Sequence, residues 1–169
     1  EKPLQTIELR EKEKAEMLQA LNGNIYELTA RRRNYVILRL DSFMSDGGAS
    51  YEPNVLTIEH VLPQTVTNDS PWLADWPDED IRQKWVHRIA NLIPLNIKRN
   101  QQAQNYEFPK KKAAYFGGKY GQSSYVLTTQ VLKTESWTPD VVAKRQWELL
   151  EVFAECWDLG DPRLIVQDN

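Results

Sequence analysis

Two adjacent side chains in this sequence, Glu59 and His60, are of types that can carry out hydrolysis. A neutral imidazole can take a proton from water near physiological pH, and a carboxylate is a hard oxygen ligand suited to magnesium. Hydrolysis of a phosphodiester uses both a base and a cation that stabilises charge on the phosphate. The pair therefore indicates a hydrolytic site. The competing interpretation is a core histidine that is hydrogen-bonded to the backbone.

The pair lies on a strand that the sequence predicts over residues 55–62. This segment is short, rich in β-branched and apolar residues, and followed by Pro63. Neighbouring side chains on a regular strand point to opposite faces. Glu59 and His60 can therefore serve one site only where the strand ends or bends, and Pro63 favours such a bend.

A third polar group is expected from residues 90–104. A second short strand is predicted over 90–95, and the polar segment 96–104, which lacks Pro and Gly, is predicted to be a helix. Asn96 and Asn100 are four residues apart and share a helix face, whereas Asn105 would point about 140° away from Asn100. The amide oxygen of Asn100 is therefore the preferred second metal ligand.

The remaining segments are mainly helical by pattern. Helices are predicted over 5–22, 25–44, 80–88, 110–116 and 124–132. A last helix begins after Thr138, because Thr is a good N-cap, Pro139 suits the first helical position and Asp140 favours the positive end of the helix dipole. The predicted fold class is α+β, a mainly helical domain around a small hairpin.

Length and composition indicate a single globular domain. The chain has 169 residues, of which 41% are hydrophobic and 27% charged. It has no apolar run long enough to span a bilayer and no apolar signal-peptide core, so a cytoplasmic location is expected. A lone Cys156 and two histidines do not suffice for an internal disulfide or an ordinary structural zinc site, so any metal is expected to have oxygen ligands. Because the sequence does not begin with Met, we expect it to be part of a longer protein.

Charge is segregated along the chain despite a net charge of −3, which by itself argues weakly against nucleic acid. Residues 98–119 contain six basic residues and one acid, whereas 69–80 contain five acids and no base. The lysines at 110–112 fit a phosphate contact or a solvated helix face equally well. For the arginines at 31–33 a solvated face is favoured over a phosphate contact. His87, between Trp85 and Arg88, is expected to pack or lie at the surface.

Three motifs together resemble one known family. The segments IEHVLPQ (58–64), ANLIPLNIKRN (90–100) and QNYEFPKKKAAY (104–115) are similar to the HNH (His-Me finger, ββα-metal) nuclease domain at the C-terminal end of GmrSD-type modification-dependent restriction enzymes and related phage-defence proteins. The flanking segments NGNIYEL, YVILRLD and SWTPDVVAKRQWELLEVFAECW also match. The first motif is similar to the HNH domain of RNA-guided CRISPR effectors as well.

The resemblance implies roles for individual residues. His60 would activate water, Glu59 and Asn100 would bind a single Mg²⁺ or Mn²⁺, and Asn91 would fix the hairpin loop that orients the base. Asn105 and Lys111 match further recurrent positions, for which phosphate contact or helix packing is expected. The expected DNA-binding set is Lys98, Arg99, Asn105, Lys110, Lys111 and Lys112. The sequence departs from the family pattern at Ala90, which is usually glycine, and at Pro94, in a strand that is usually all aliphatic.

The function that the resemblance implies is a magnesium-dependent DNA endonuclease, a phosphodiester hydrolase that nicks or cuts DNA within a restriction or phage-defence system. An upstream nucleotide-hydrolysing sensor domain in the full-length protein and no membrane contact are expected with it. The nuclease core is placed at 51–118, between helical parts at 1–50 and 119–169. Two alternatives stay open: a non-catalytic DNA-binding or regulatory module that keeps the HNH scaffold, and a phosphodiesterase that acts on RNA or another substrate.

Overall fold

The structure, a computed structural model, describes residues 9–45, 56–96, 105–116 and 125–164. Within these ranges two strands pair in an antiparallel sheet. Six α-helices accompany them, and short 3-10 turns connect several of these elements. In chain order the elements are α1 (Glu11–Leu21), α2 (Ala30–Met44), β1 (Leu56–His60), α3 (Glu79–Val86), β2 (Leu92–Asn96), α4 (Phe108–Phe116), α5 (Val126–Leu132) and α6 (Pro139–Cys156). The predicted α+β class, mainly helical around a small hairpin, is confirmed.

The hairpin lies between two hydrophobic clusters. In its register Glu59 pairs with Ile93 and His60 pairs with Leu92. Leu92 belongs to one cluster of buried residues, together with residues of α1, α2 and α6. Ile93 belongs to the other cluster, which contains several tryptophans and aromatic residues of α4. Because side chains alternate along a strand, Glu59 and His60 face different clusters.

The ends of several elements follow from local sequence. The side chain of Thr138 accepts a hydrogen bond from the backbone N–H of Val141 at 3.4 Å, as its predicted capping role requires. The single helix predicted over 25–44 is divided instead, because Leu28 has an extended conformation between a 3-10 turn (Ile25–Glu27) and α2. The helix predicted over 96–104 falls mainly outside the described residues, and Asn96 itself ends β2.

Helix α6, the longest among the described residues, contributes buried side chains that include Leu149 and Phe153. It packs against α2 and against the 3-10 turn Ile89–Asn91 that leads into β2. In the described ranges no helix combines the length and the apolar character needed to cross a bilayer. The position of α6 thus connects the helical part of the fold to the hairpin that carries the candidate site.

Candidate active site

His60 is the last residue of β1, and its side chain is enclosed by two other rings. The residue is 5% exposed. Its ring meets the edge of Tyr26 with the centroids 4.2 Å apart, and its Nε2 lies 3.2 Å from Nδ1 of His87. Burial lowers the pKa of His60 to about 3, and smaller electrostatic contributions from the neighbouring His87, Lys111 and Arg33 act in the same direction. The imidazole is therefore neutral at physiological pH.

The contact between the two histidines restricts which nitrogen of His60 can act as a base. In a neutral imidazole one nitrogen donates and the other accepts. Nδ1 of His60 has no hydrogen-bond partner within the described ranges, whereas Nε2 faces His87. When Nε2 carries the proton it donates to Nδ1 of His87, and the lone pair on Nδ1 of His60 is left to accept a proton. This tautomer is the one that suits general-base chemistry.

His87 was expected to pack or to lie at the surface, and in the structure its ring packs against those of His60 and Tyr26, which places it beside the candidate base. His87 follows α3 and stacks on Tyr26 with the ring planes 10° apart. One signal could have indicated this position. The chain has only two histidines, and the second lies four residues before the motif residue Asn91.

Glu59 lies on the other face of the hairpin, where Lys111 and Tyr115 of α4 contact it. Its Oε1 accepts a hydrogen bond from Lys111 Nζ at 2.7 Å and from the hydroxyl of Tyr115 at 3.2 Å. Lys111 Nζ also donates to the carbonyl oxygen of His60 at 2.6 Å. Burial raises the pKa of Glu59, and the charge of Lys111 opposes that shift. The pair is thus a buried ion pair that attaches α4 to the end of β1.

The environment of Lys111 bears on its expected contact with DNA. Its side chain is 1% exposed, and its ammonium group is bonded to Glu59 and to the backbone at His60. An ammonium group enclosed in this way does not reach a phosphate at the surface. Of the two expectations for this residue, packing of the helix describes the structure and phosphate contact does not.

The described residues do not complete a metal site. They contain no group of three or more His, Cys, Asp or Glu side chains arranged to hold an ion. Oε1 of Glu59 is occupied by Lys111 and Tyr115, which leaves Oε2 as the oxygen without a side-chain partner in the described part of the chain. Asn100, the second expected ligand, lies outside the described residues. The structure therefore brings Glu59 together with Lys111 and does not bring it together with the ring of His60.

Asn91 is fully buried and fixes the backbone immediately after β1. Its Oδ1 accepts from the backbone N–H of Leu62 at 2.7 Å and from the indole of Trp137 at 3.0 Å. Its Nδ2 donates to the carbonyl oxygens of Leu62 at 2.9 Å and Val86 at 3.0 Å. The amide thereby connects the bend after His60 to the end of α3. Leu62 is two residues after His60 and Val86 directly precedes His87, so Asn91 fixes the backbone close to both rings.

The neighbouring Ala90 is held by α6. Gln146 accepts a hydrogen bond from the Ala90 N–H at 3.0 Å, and Arg145 Nε donates to the Ala90 carbonyl at 3.1 Å. Among the described non-glycine residues only Asp158 has a positive φ, so Ala90 needs no conformation reserved for glycine. The departure from glycine at this position is thus compatible with the local backbone.

The other residues expected to bind DNA lie in different surroundings. Asn105 and Lys110 are exposed, and Lys110 Nζ lies 3.9 Å from the centroid of the Tyr106 ring. Lys112 is half-buried, with its Nζ donating to the carbonyl oxygen of Thr134 at 2.8 Å. Lys98 and Arg99 lie outside the described residues. The exposed members of the set are thus located next to and within α4.

Comparison with known proteins identifies the family. No curated protein and no solved structure gives a significant match to the chain. The profile of the family described as "GmrSD restriction endonucleases, C-terminal domain" matches residues 11–152, which is most of the sequence. The match includes the hairpin, both histidines, Asn91 and the Glu59–Lys111 pair. The chain therefore belongs to the family of GmrSD restriction endonuclease C-terminal domains, which are nuclease domains of the restriction-endonuclease type.

Proposed function

We propose that this chain is an HNH endonuclease domain that hydrolyses phosphodiester bonds in DNA with His60 as the general base. The observation that carries the proposal is the state of His60, a neutral imidazole at the end of β1 whose Nε2 faces His87 and whose Nδ1 has no partner among the described residues. A base of this kind takes a proton from the attacking water as the water adds to phosphorus and the P–O bond to the leaving sugar oxygen breaks, and that oxygen then takes a proton from solvent. Family membership supplies the nuclease context.

His87 acts in this proposal as a positioning residue. In the tautomer that we propose, Nε2 of His60 donates to Nδ1 of His87 and Nδ1 of His60 keeps its lone pair, while the ring of Tyr26 limits how far the imidazole can rotate. The hydrogen bonds of Asn91 to Leu62 and Val86 hold the backbone near both histidines in place. The protein thus holds the base before substrate arrives, which reduces the reorganisation needed during the reaction.

We also propose a divalent cation, Mg²⁺ or Mn²⁺, bound by Glu59 and Asn100. Carboxylate and amide oxygens are ligands that magnesium accepts, with water and phosphate oxygens completing its octahedron. When bound, such an ion would supply positive charge to the phosphate. Binding at Glu59 requires Oε2 or a rearrangement at Oε1, because Lys111 and Tyr115 already use Oε1. The proposal therefore includes competition between the ion and the ammonium group for the same carboxylate.

The wider role that we propose is the effector domain of a modification-dependent restriction or phage-defence system. The family name supports a restriction role. In the full-length protein an upstream nucleotide-hydrolysing domain would recognise modified DNA and permit cleavage in the cytoplasm. Lys98, Arg99, Asn105 and Lys110 would contact the DNA backbone, because all four are basic or polar and the described pair, Asn105 and Lys110, is exposed.

Incubation of supercoiled plasmid with the chain tests this function. We expect open-circle product in Mg²⁺ or Mn²⁺ and none in EDTA, and we expect unlabelled DNA to compete more strongly than RNA of the same sequence. DNA binding in EDTA without product in either metal would contradict the proposal and favour a non-catalytic DNA-binding module. Cleavage inhibited more strongly by RNA than by DNA would contradict the choice of DNA as substrate.

A further inference from the structure

One face of the first two turns of α2 combines exposed cations with an exposed aromatic ring. Arg31 and Arg32 are exposed, and Tyr35 is 60% exposed. Arg31 and Tyr35 are four residues apart, and Arg32 and Tyr35 are three apart, so the three side chains share one side of the helix. With Leu28, Thr29 and Val36 they line a groove of about 510 Å³. We call this surface the arginine groove.

The positive charge of the arginine groove is not balanced locally. The first turn of α2 contains no acidic residue. Among the described residues no ion pair includes Arg31 or Arg32, whereas Lys12, Lys14 and Lys144 each have a carboxylate partner. Glu27, the nearest acid before the helix, accepts a hydrogen bond from Asn24. Adjacent guanidinium groups beside the positive end of a helix repel one another, and an anionic ligand would relieve that repulsion.

Two side chains, Arg33 and Tyr26, lie between the arginine groove and the candidate base. Arg33, the third arginine of the run, donates to the carbonyl oxygen of Tyr26 at 2.9 Å, and its guanidinium lies 4.3 Å from the centroid of the Tyr26 ring. The same ring contacts His60 and His87. Arg33, next to Arg32 in sequence, thus contacts the ring that contacts His60.

We propose that the arginine groove binds the backbone of the DNA substrate and leads the strand toward His60. Guanidinium groups pair with phosphate oxygens in two-pronged hydrogen bonds, and an exposed tyrosine beside them offers a flat surface to a sugar or an unpaired base. The identity of the ligand rests on the proposed nuclease function, whereas its anionic character rests on the charge of the groove. This surface belongs to α2, whereas Lys110, one of the other residues proposed to contact DNA, lies on α4.

The test measures binding of a fluorescein-labelled DNA duplex of about 20 base pairs by anisotropy, in EDTA and at several NaCl concentrations. The variant is Arg31→Gln with Arg32→Gln. Its matched control is Lys12→Gln with Lys144→Gln, which removes the same charge from exposed positions on α1 and α6. All four side chains are at the surface, so thermal melting should show that both variants stay folded.

We expect the arginine variant to lose about tenfold or more in affinity at low salt, while the control loses much less. The slope of log K against log [NaCl] should become shallower by roughly 0.9 for each phosphate contact removed. Equal affinities and equal slopes for the two variants would overturn the proposal. Preference of the wild-type groove for an RNA duplex, lost in the arginine variant, would overturn DNA as its ligand.

The binding experiment is independent of cleavage. If plasmid nicking fails but arginine-dependent binding to DNA remains, the arginine groove stands and the proposed catalytic function fails. If nicking occurs and binding is the same in the variant and its control, the function stands and the groove does not bind DNA.

Discussion

His60 occupies an environment in which its neutral form is strongly favoured. Transfer of the ring from water to the contact with Tyr26 and His87 removes solvent that would stabilise an imidazolium. A base that is fully deprotonated across the physiological range is ready to accept a proton, although its low pKa makes it a weak one until substrate phosphate approaches. Negative charge on a bound phosphate would raise the pKa of His60 and increase its strength as a base.

This environment predicts a dependence of stability on pH. His60 in the unfolded chain takes up a proton near pH 6.5, whereas in the folded chain its pKa is about 3. Between these values the unfolded state binds more protons, so the free energy of unfolding decreases as the pH is lowered. The contribution of this single site is at most about 1.4 kcal/mol per pH unit. Well above pH 6.5 the pH dependence contributed by His60 disappears.

Urea unfolding of the wild type and of His60→Asn, in EDTA at pH 6.5, 5.5 and 4.5, measures this contribution. Its upper limit is roughly 1.4 kcal/mol per pH unit. The raised pKa of Glu59 acts in the opposite sense, because a carboxyl that protonates more readily when folded stabilises the protein as the pH falls. Glu59 is present in both proteins and largely cancels in the comparison. A wild type that is no more acid-sensitive than the variant would contradict a buried neutral His60.

At the scale of elements, the end of β1 is held from two directions. Helix α4 reaches it through Lys111, which bonds the carboxylate of Glu59 and the carbonyl oxygen of His60. The turn before β2 reaches it through Asn91, and α6 in turn holds that turn at Ala90. The short hairpin is thus stabilised by side chains from three other elements.

The contact between β1 and α4 predicts a non-additive effect of substitution. Lys111→Met leaves a buried carboxylate without its partner and should destabilise the fold by about 3–5 kcal/mol. The double variant Glu59→Gln with Lys111→Met should cost clearly less than the sum of the two single changes, with a coupling of about 0.5–3 kcal/mol. Urea unfolding of the four proteins gives that coupling.

The exposed pair Lys12 and Glu16, at 3.7 Å on α1, provides the control. Its side chains are 86% and 62% exposed, so solvent screens the pair and its double-variant cycle should be close to additive. Additive changes at Glu59 and Lys111 as well would mean that the two groups are not paired in the folded chain.

These elements also show what sequence patterns can predict. The strand at 56–60 and the start of α6 follow from local signals, namely β-branched residues before Pro63 and a capping Thr138. The pair of Lys111 with Glu59 joins residues 52 positions apart, and Arg145 reaches Ala90 from 55 positions away. Contacts of this kind depend on how the helices pack, which local periodicity does not encode. For the same reason the sequence indicated His60 and missed its neighbour His87.

At the scale of the whole molecule, the hairpin separates the two hydrophobic clusters and keeps its two polar side chains apart. His60 faces the cluster of α1, α2 and α6, and Glu59 faces the cluster that includes α4. The resemblance implies that Glu59 and His60 belong to one centre. The alternation of side chains along a strand already indicated that neighbouring residues point to opposite faces. Catalysis at His60 and cation binding at Glu59 are therefore separate parts of the proposal and can be tested separately.

The initial rate of plasmid nicking in Mg²⁺ by His60→Asn measures whether His60 is the general base. Asparagine retains a polar side chain at the end of β1 and lacks a group that can accept the proton, so the rate should fall by about 10²–10⁴-fold, the usual contribution of a general base. His87→Asn, the same change at the other ring of the pair, should lose less, because it affects only the orientation of His60. Melting curves establish that both variants are folded. A rate within about threefold of wild type is a far smaller loss than removal of a general base causes. A folded His60→Asn protein with such a rate would contradict the assignment of His60 as the base.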